Sequence, residues 1–253
     1  MHEVNQHIIK VQKLRVFQGN KVILRDIDML IEEKELLALF GPSGHGKSIM
    51  LRTFNQLYNR DSNFRITGDI TINDNSVMNM SMPTLRQNIG MLFSAPNLFP
   101  MSIYENLALG LRLNNIGDSK IIDQKIRHIL IDLNLWEKFR NKLQSSISTL
   151  TIEEQQLMCL ARTLILNPKV ILMEKPTACL NSSAKSRFED LIFELKQKYT
   201  IIATVEDKEQ AGRISDKVAF FYKGRLVEYG QTKHIFTHPK EALTESYITG
   251  RIS

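Results

Sequence analysis

Little in this chain invites a disulfide framework. It has two cysteines in 253 residues, Cys159 and Cys179, and neither stands in a C-x-x-C pair or beside a histidine cluster. That excludes a stapled secreted scaffold and a structural zinc site, and leaves both thiols as small core-filling groups. Long apolar runs are missing too. None approaches the roughly 18 to 20 residues a membrane helix needs, and Met1-His2-Glu3-Val4 lacks the charged and apolar regions of a secretory signal. A soluble chain kept in the cytoplasm is the expectation. There is no basic arm: the net charge is +6, but 33 Lys and Arg are scattered among 27 Asp and Glu. This argues against nucleic acid as a partner and for anionic phosphates or a nearby lipid surface. With no repeat, low-complexity tract or linker, 253 residues at 43% hydrophobic content read as one α/β unit spanning 1–253.

What is present is organised by period. From Ile8 to Ile31 apolar and polar residues alternate, broken at Gln18-Gly19-Asn20, which predicts an antiparallel β subdomain. Leu36-Leu37-Ala38-Leu39-Phe40 is instead a continuous apolar run, the pattern of a strand buried on both faces, and a glycine loop and a helical pattern follow it. Residues 170–173 and 200–203 predict further buried parallel strands, separated by an amphipathic helix over 188–196. Residues 218–222 and 226–227, joined at Lys223-Gly224, predict a closing hairpin. Helical spacing over 121–135 and 155–166 places a helical subdomain, about 93–165, inside the α/β core.

Gly41-Pro42-Ser43-Gly44-His45-Gly46-Lys47-Ser48 satisfies G-x-x-x-x-G-K-[ST] between a buried strand and a helix. Glycines let successive N–H groups turn inward around the α and β phosphates, at a helix N-terminus whose dipole already favours anions. Lys47 is expected to reach the β and γ phosphates and the Ser48 hydroxyl to ligate Mg²⁺, so the cofactors implied are ATP and Mg²⁺. His45 reads as a solvent-facing loop residue and not as a base.

On these residues, and on Ile89-Gly90-Met91-Leu92-Phe93, Pro96-Asn97-Leu98-Phe99-Pro100-Met101-Ser102-Ile103-Tyr104-Glu105-Asn106, Leu135-Trp136, Leu226-Val227-Glu228-Tyr229-Gly230 and the stretch from Thr244 to Arg251, the chain resembles the ATP-binding subunits of ABC importers nearly end to end, and most of all the phosphate-importing group. The resemblance implies a P-loop NTPase core of the ABC type and a head-to-tail homodimer or heterodimer with a related ATP-binding subunit. It also implies transmembrane permease partners and a peripheral place on the inner face of the cell membrane, and the apolar, proline-rich loop 94–106, with Pro96, Phe99, Pro100, Ile103 and Tyr104, is expected to dock on such a partner. Departures from the family pattern gather on the hydrolytic parts. The signature L-S-G-G-Q aligns with Leu150-Thr151-Ile152-Glu153-Glu154, where Ile152 obstructs and Glu153 adds negative charge toward a partner's γ-phosphate. The Walker B run ends in Glu174-Lys175 instead of Asp-Glu: Glu174 is expected to hold Mg²⁺ through water with Ser48, although it is one methylene too long for the usual geometry, and Lys175 has no lone pair to offer as a base. Ser94 stands at the Q-loop, Asn181 at the D-loop aspartate, Glu206 at the switch histidine, and Gln18 at the adenine-stacking position, with Phe17 beside it as a substitute.

Three functions fit this pattern. One is an active phosphate-importing ATPase with compensated motifs; another is a nucleotide-binding subunit that hydrolyses weakly or not at all; the third is a regulatory P-loop protein without a membrane partner. Both defects lie in one chain, so pairing with an intact relative spoils both composite sites, and binding without turnover is the expectation.

Overall fold

The period-two stretch folds into two long paired strands in the computed structural model, which describes residues 7–58 and 63–252; Met1-His2-Glu3-Val4 lies outside that range. β1 (His7–Gln18) and β2 (Lys21–Glu32) meet across the Gly19-Asn20 turn. β3 (Leu36–Phe40), buried at every residue, passes through the glycine loop into α1 (Lys47–Phe54). β4 (Phe64–Ile72) and the short β5 (Asn75–Ser76) extend the first sheet, and α2 (Met82–Asn88) leads to β6 (Ile89–Leu92). The helices α3 (Ile103–Leu113), α4 (Ser119–Asp132), α5 (Trp136–Phe139) and α6 (Ile152–Leu164) then intervene before β7 (Val170–Glu174). α7 (Ser182–Leu195) precedes β8 (Thr200–Val205), α8 (Lys208–Ile214) precedes β9 (Lys217–Tyr222), and β9 turns into β10 (Arg225–Gln231).

Among the described residues the strands form an antiparallel sheet of order β2-β1-β4-β5 and a second sheet of order β10-β9-β3-β8-β7-β6, parallel except where β10 pairs with β9. β3 shows why its sequence is apolar without alternation. Leu36, Ala38 and Phe40 pack into one core with Leu107, Leu160 and Phe188 of the helices, while Leu37 and Leu39 pack into another with Met50 of α1 and Ile9 and Ile27 of the antiparallel sheet. Phe40 is aligned with Val205, and Glu174 with Thr204. The residues that leave these strands, Gly41, Lys175 and Glu206, therefore emerge side by side at the carboxyl edge of the sheet, where open α/β sheets form their sites.

Several sequence expectations shift. The helix expected over 121–135 stops at Asp132, because Asn134 turns left-handed at φ 57° and α5 starts afresh. The helix expected from 155 starts at Ile152, on a capping box in which Thr151 and Glu154 satisfy each other's backbone N–H groups. Likewise α7 begins at Ser182, capped by Asn181, which accepts the Ala184 N–H at 3.0 Å. The two cysteines part company, Cys159 buried and Cys179 only half-buried. The loop expected to dock outward splits: Ile103 and Asn106 belong to the interior, while Phe99 is 46% exposed with the Arg162 guanidinium over its ring. No helix among the described residues is long and apolar enough to cross a membrane.

Candidate functional site

The loop between β3 and α1 turns on three left-handed glycines, Gly41 (φ 132°), Gly44 (φ 77°) and Gly46 (φ 102°). At Gly41 a Cβ would lie 2.2 Å from the Phe221 carbonyl oxygen and at Gly46 2.7 Å from Leu24, so these two let the loop seat on β9 and β2. Nothing approaches Gly44 within 4 Å, which leaves its side of the loop open. Gly46 caps α1 without a side chain, so the first-turn N–H groups keep their capacity for an anion. Lys47 curls over this cradle, 4% exposed, its ammonium donating to the Gly41 carbonyl at 2.5 Å and the Pro42 carbonyl at 2.6 Å. Burial lowers its pKa to about 8, with Glu206 opposing and the charge of Lys175 assisting. His45 is half-buried rather than solvent-facing: its ring meets Tyr222 edge-on at 4.7 Å, its carbonyl accepts the Gly224 N–H, and burial holds its pKa below the ordinary histidine value.

A cleft of about 220 Å³ opens beside the loop, lined by Ser43, Gly44, Gly46, Lys47, Ser48, Lys175 and Glu206, with Ile23 and Ile49. Lys175 leaves β7 in a left-handed conformation (φ 42°), and its N–H donates to Thr204 Oγ1 at 2.9 Å. Its ammonium meets Glu206 Oε1 at 2.8 Å, and that oxygen lies 3.7 Å from Lys47 Nζ. Burial pushes the Glu206 carboxyl up, but the hydrogen bond from Lys175 and the charge of Lys47 outweigh it and leave the pKa below the usual glutamate value. The residues at the base and switch positions are thus joined as an ion pair.

The other expected site residues fall elsewhere. Ser94 follows β6, half-buried and outside the cleft lining. Glu174 is buried at the end of β7, where its carboxylate accepts from Arg52 Nη2 at 2.8 Å and Nε at 3.3 Å. Gln18 is exposed, and the Phe17 ring carries the Arg65 guanidinium at 3.9 Å and lines a second pocket with Arg15, Arg25 and Arg225. At the signature position Ile152 is 51% exposed, and Glu153 is not a bare charge, because Arg187 holds both of its oxygens at 2.8 Å.

The cradle fits phosphate, with Gly44 open, the helix N-terminus uncapped and Lys47 poised above it. The same residues do not fit Mg²⁺ between Ser48 and Glu174, because a guanidinium already neutralises the carboxylate and Lys175 adds an ammonium to the cleft. Arg52 and Arg187 were not legible in the sequence, since nothing in their spacing ties them to Glu174 or Glu153. Gln156 was equally silent: fully buried, it ties α6 to two strand exits by donating to the Phe93 and Pro176 carbonyls at 2.9 and 3.0 Å.

The family model described as ABC transporter matches residues 24–178. The chain is 41% identical over 245 residues to the phosphate import ATP-binding protein PstB of Bacteroides fragilis, covering 96% of this chain and 97% of that protein. It is 38% identical over 250 residues to the phosphate import ATP-binding protein PstB 1 of Streptococcus mutans, covering 98% and 99%. Among solved structures, cbiO1 from Clostridium perfringens, part of the ABC transporter complex cbiONQ, superposes with a TM-score of 0.81 at 24% identity over 96% of both chains. That last likeness speaks for the fold.

Proposed function

Because the chain belongs to the ABC transporter family as an ATP-binding subunit, we propose that it serves a phosphate importer, holding ATP at residues 41–48 and hydrolysing it weakly or not at all. The observation that carries the second half is the Lys175–Glu206 ion pair at 2.8 Å in the phosphate cleft. Hydrolysis needs a base on the attacking water and a group that follows the γ-phosphate. Lys175 directs its side-chain nitrogen to Glu206 and has no carboxylate oxygen to offer the water, and Glu206 presents an acceptor where the γ-phosphate needs a donor. Loss of a base removes about 10² to 10⁴ in rate and loss of electrostatic donors a comparable factor, without simple additivity.

The assignment to phosphate import is supported by the names of the two relatives and the near-complete coverage of all three chains. On this reading the chain pairs head to tail with a copy of itself or a related subunit and lies against permease subunits at the inner membrane face. The segment between β6 and β7 acts as the inserted subdomain that contacts the permease, through Phe99 in the loop before α3. The decisive measurement is nucleotide affinity alongside steady-state phosphate release by the purified chain. Tight ATP binding with release at background is the expected result; release that Lys47→Ala abolishes would return the protein to the active importers.

A further inference from the structure

Around the phosphate loop three cations, Lys47, Arg52 and Lys175, face two carboxylates, Glu174 and Glu206. A divalent ion seated between Ser48 and Glu174 would share that carboxylate with the Arg52 guanidinium, which makes two hydrogen bonds to its Oε2, and stand in the field of a further ammonium. Among the described residues no group of three or more His, Cys, Asp or Glu could hold a metal in another place.

Lys175 has what such an ion would supply. Its side chain lines the same cleft as Lys47 and Ser48. Its ammonium is a compact point charge with three donors, of which Glu206 engages one, so two remain for phosphate oxygens. The left-handed backbone at φ 42° and the N–H bond to Thr204 fix where the side chain starts. Glu206 is its positioning residue, tethering the ammonium as a carboxylate ligand would tether an ion.

Resting on the reading that this loop binds nucleotide, we propose that Lys175 stands in for the divalent cation, so that the terminal phosphates of a nucleoside triphosphate are held between Lys47 and Lys175 without a metal ion. The chain would then differ from a site in which the metal bridges the β and γ oxygens. It would bind the free triphosphate, and a magnesium-bound one would bring surplus positive charge into the cleft.

The test is ATP affinity of the full-length chain by calorimetry, in excess EDTA and again in millimolar Mg²⁺. For the unmodified chain the two dissociation constants should agree within about threefold, or favour EDTA. Lys175→Gln should weaken binding in EDTA by about tenfold or more, with no rescue by Mg²⁺. The pair Arg52→Gln with Lys175→Glu, which frees one carboxylate and adds another, should acquire a Mg²⁺ requirement. Binding by the unmodified chain that needs Mg²⁺ would overturn the proposal and leave the nucleotide-binding reading intact, and unchanged EDTA affinity in Lys175→Gln would do the same. Absence of ATP binding under both conditions would instead strike down the function proposed above.

Discussion

Lys47 is the residue on which pH acts most directly. Its pKa of about 8 in the free protein means that the ammonium is half lost there, whereas a bound polyphosphate favours the charged form. Nucleotide binding should therefore draw in a proton above pH 8. ATP affinity should be flat below that point and fall as pH rises beyond it, by up to about tenfold per unit, and calorimetry in buffers of different ionisation enthalpy should register the uptake. An affinity that is level from pH 7 to 9.5 would contradict this assignment. The Lys175–Glu206 pair makes a second prediction. Lys175→Glu alone sets two carboxylates together, with Lys47 at 3.7 Å the remaining nearby cation, so the single reversion should lower the melting temperature and leave phosphate release at background. Only Lys175→Glu, Glu206→His, Ile152→Gly and Glu153→Gly together should raise turnover. The phosphate loop was readable from spacing because its eight residues are contiguous. The ion pair was not, because it joins the exits of two different strands, and single-sequence reading weighs each position against the family pattern and not against its spatial neighbour.

At the scale of elements, the caps and the buried clamp between α7 and α8 explain most of what the sequence concealed. Apolar periodicity located the middles of α6 and α7, but their starts were fixed by Thr151, Glu154 and Asn181, polar residues that an apolar count passes over. The clamp centres on Glu189, 1% exposed, which accepts from Gln210 Nε2 at 2.6 Å and pairs with Arg213 and Lys185. Gln210 also donates to Thr177 Oγ1 at 2.8 Å, so the same network reaches the loop beyond β7. Glu189→Ala strips these donors of their acceptor inside the protein and should cost about 3 kcal/mol by urea denaturation, with Glu189→Gln losing less. If Glu189→Ala melts like the parent, the clamp is ornamental.

For the molecule as a whole, a ligand that binds only the folded state stabilises it by mass action, about 2.7 kcal/mol at a hundredfold excess over the dissociation constant. In a chain of this size that corresponds to a rise of about 5 to 10 °C in melting temperature, to be read by calorimetric melting and to vanish in Lys47→Ala. The seat of β3 adds a consequence for biosynthesis. Its mates β8 and β9 are translated long after it, and Leu36 gives its N–H to Asp216, 180 residues further along. Gly41 has no wall to lean on until Phe221 has been translated. Until then a nascent chain carries the whole phosphate-loop sequence without the wall that seats it. Closure of such distant pairings is slow, and the apolar strands wait meanwhile without cover. Nucleotide capture thus reports that translation has passed Phe221, and a chaperone that shields β3 on the ribosome would be guarding the site before it exists.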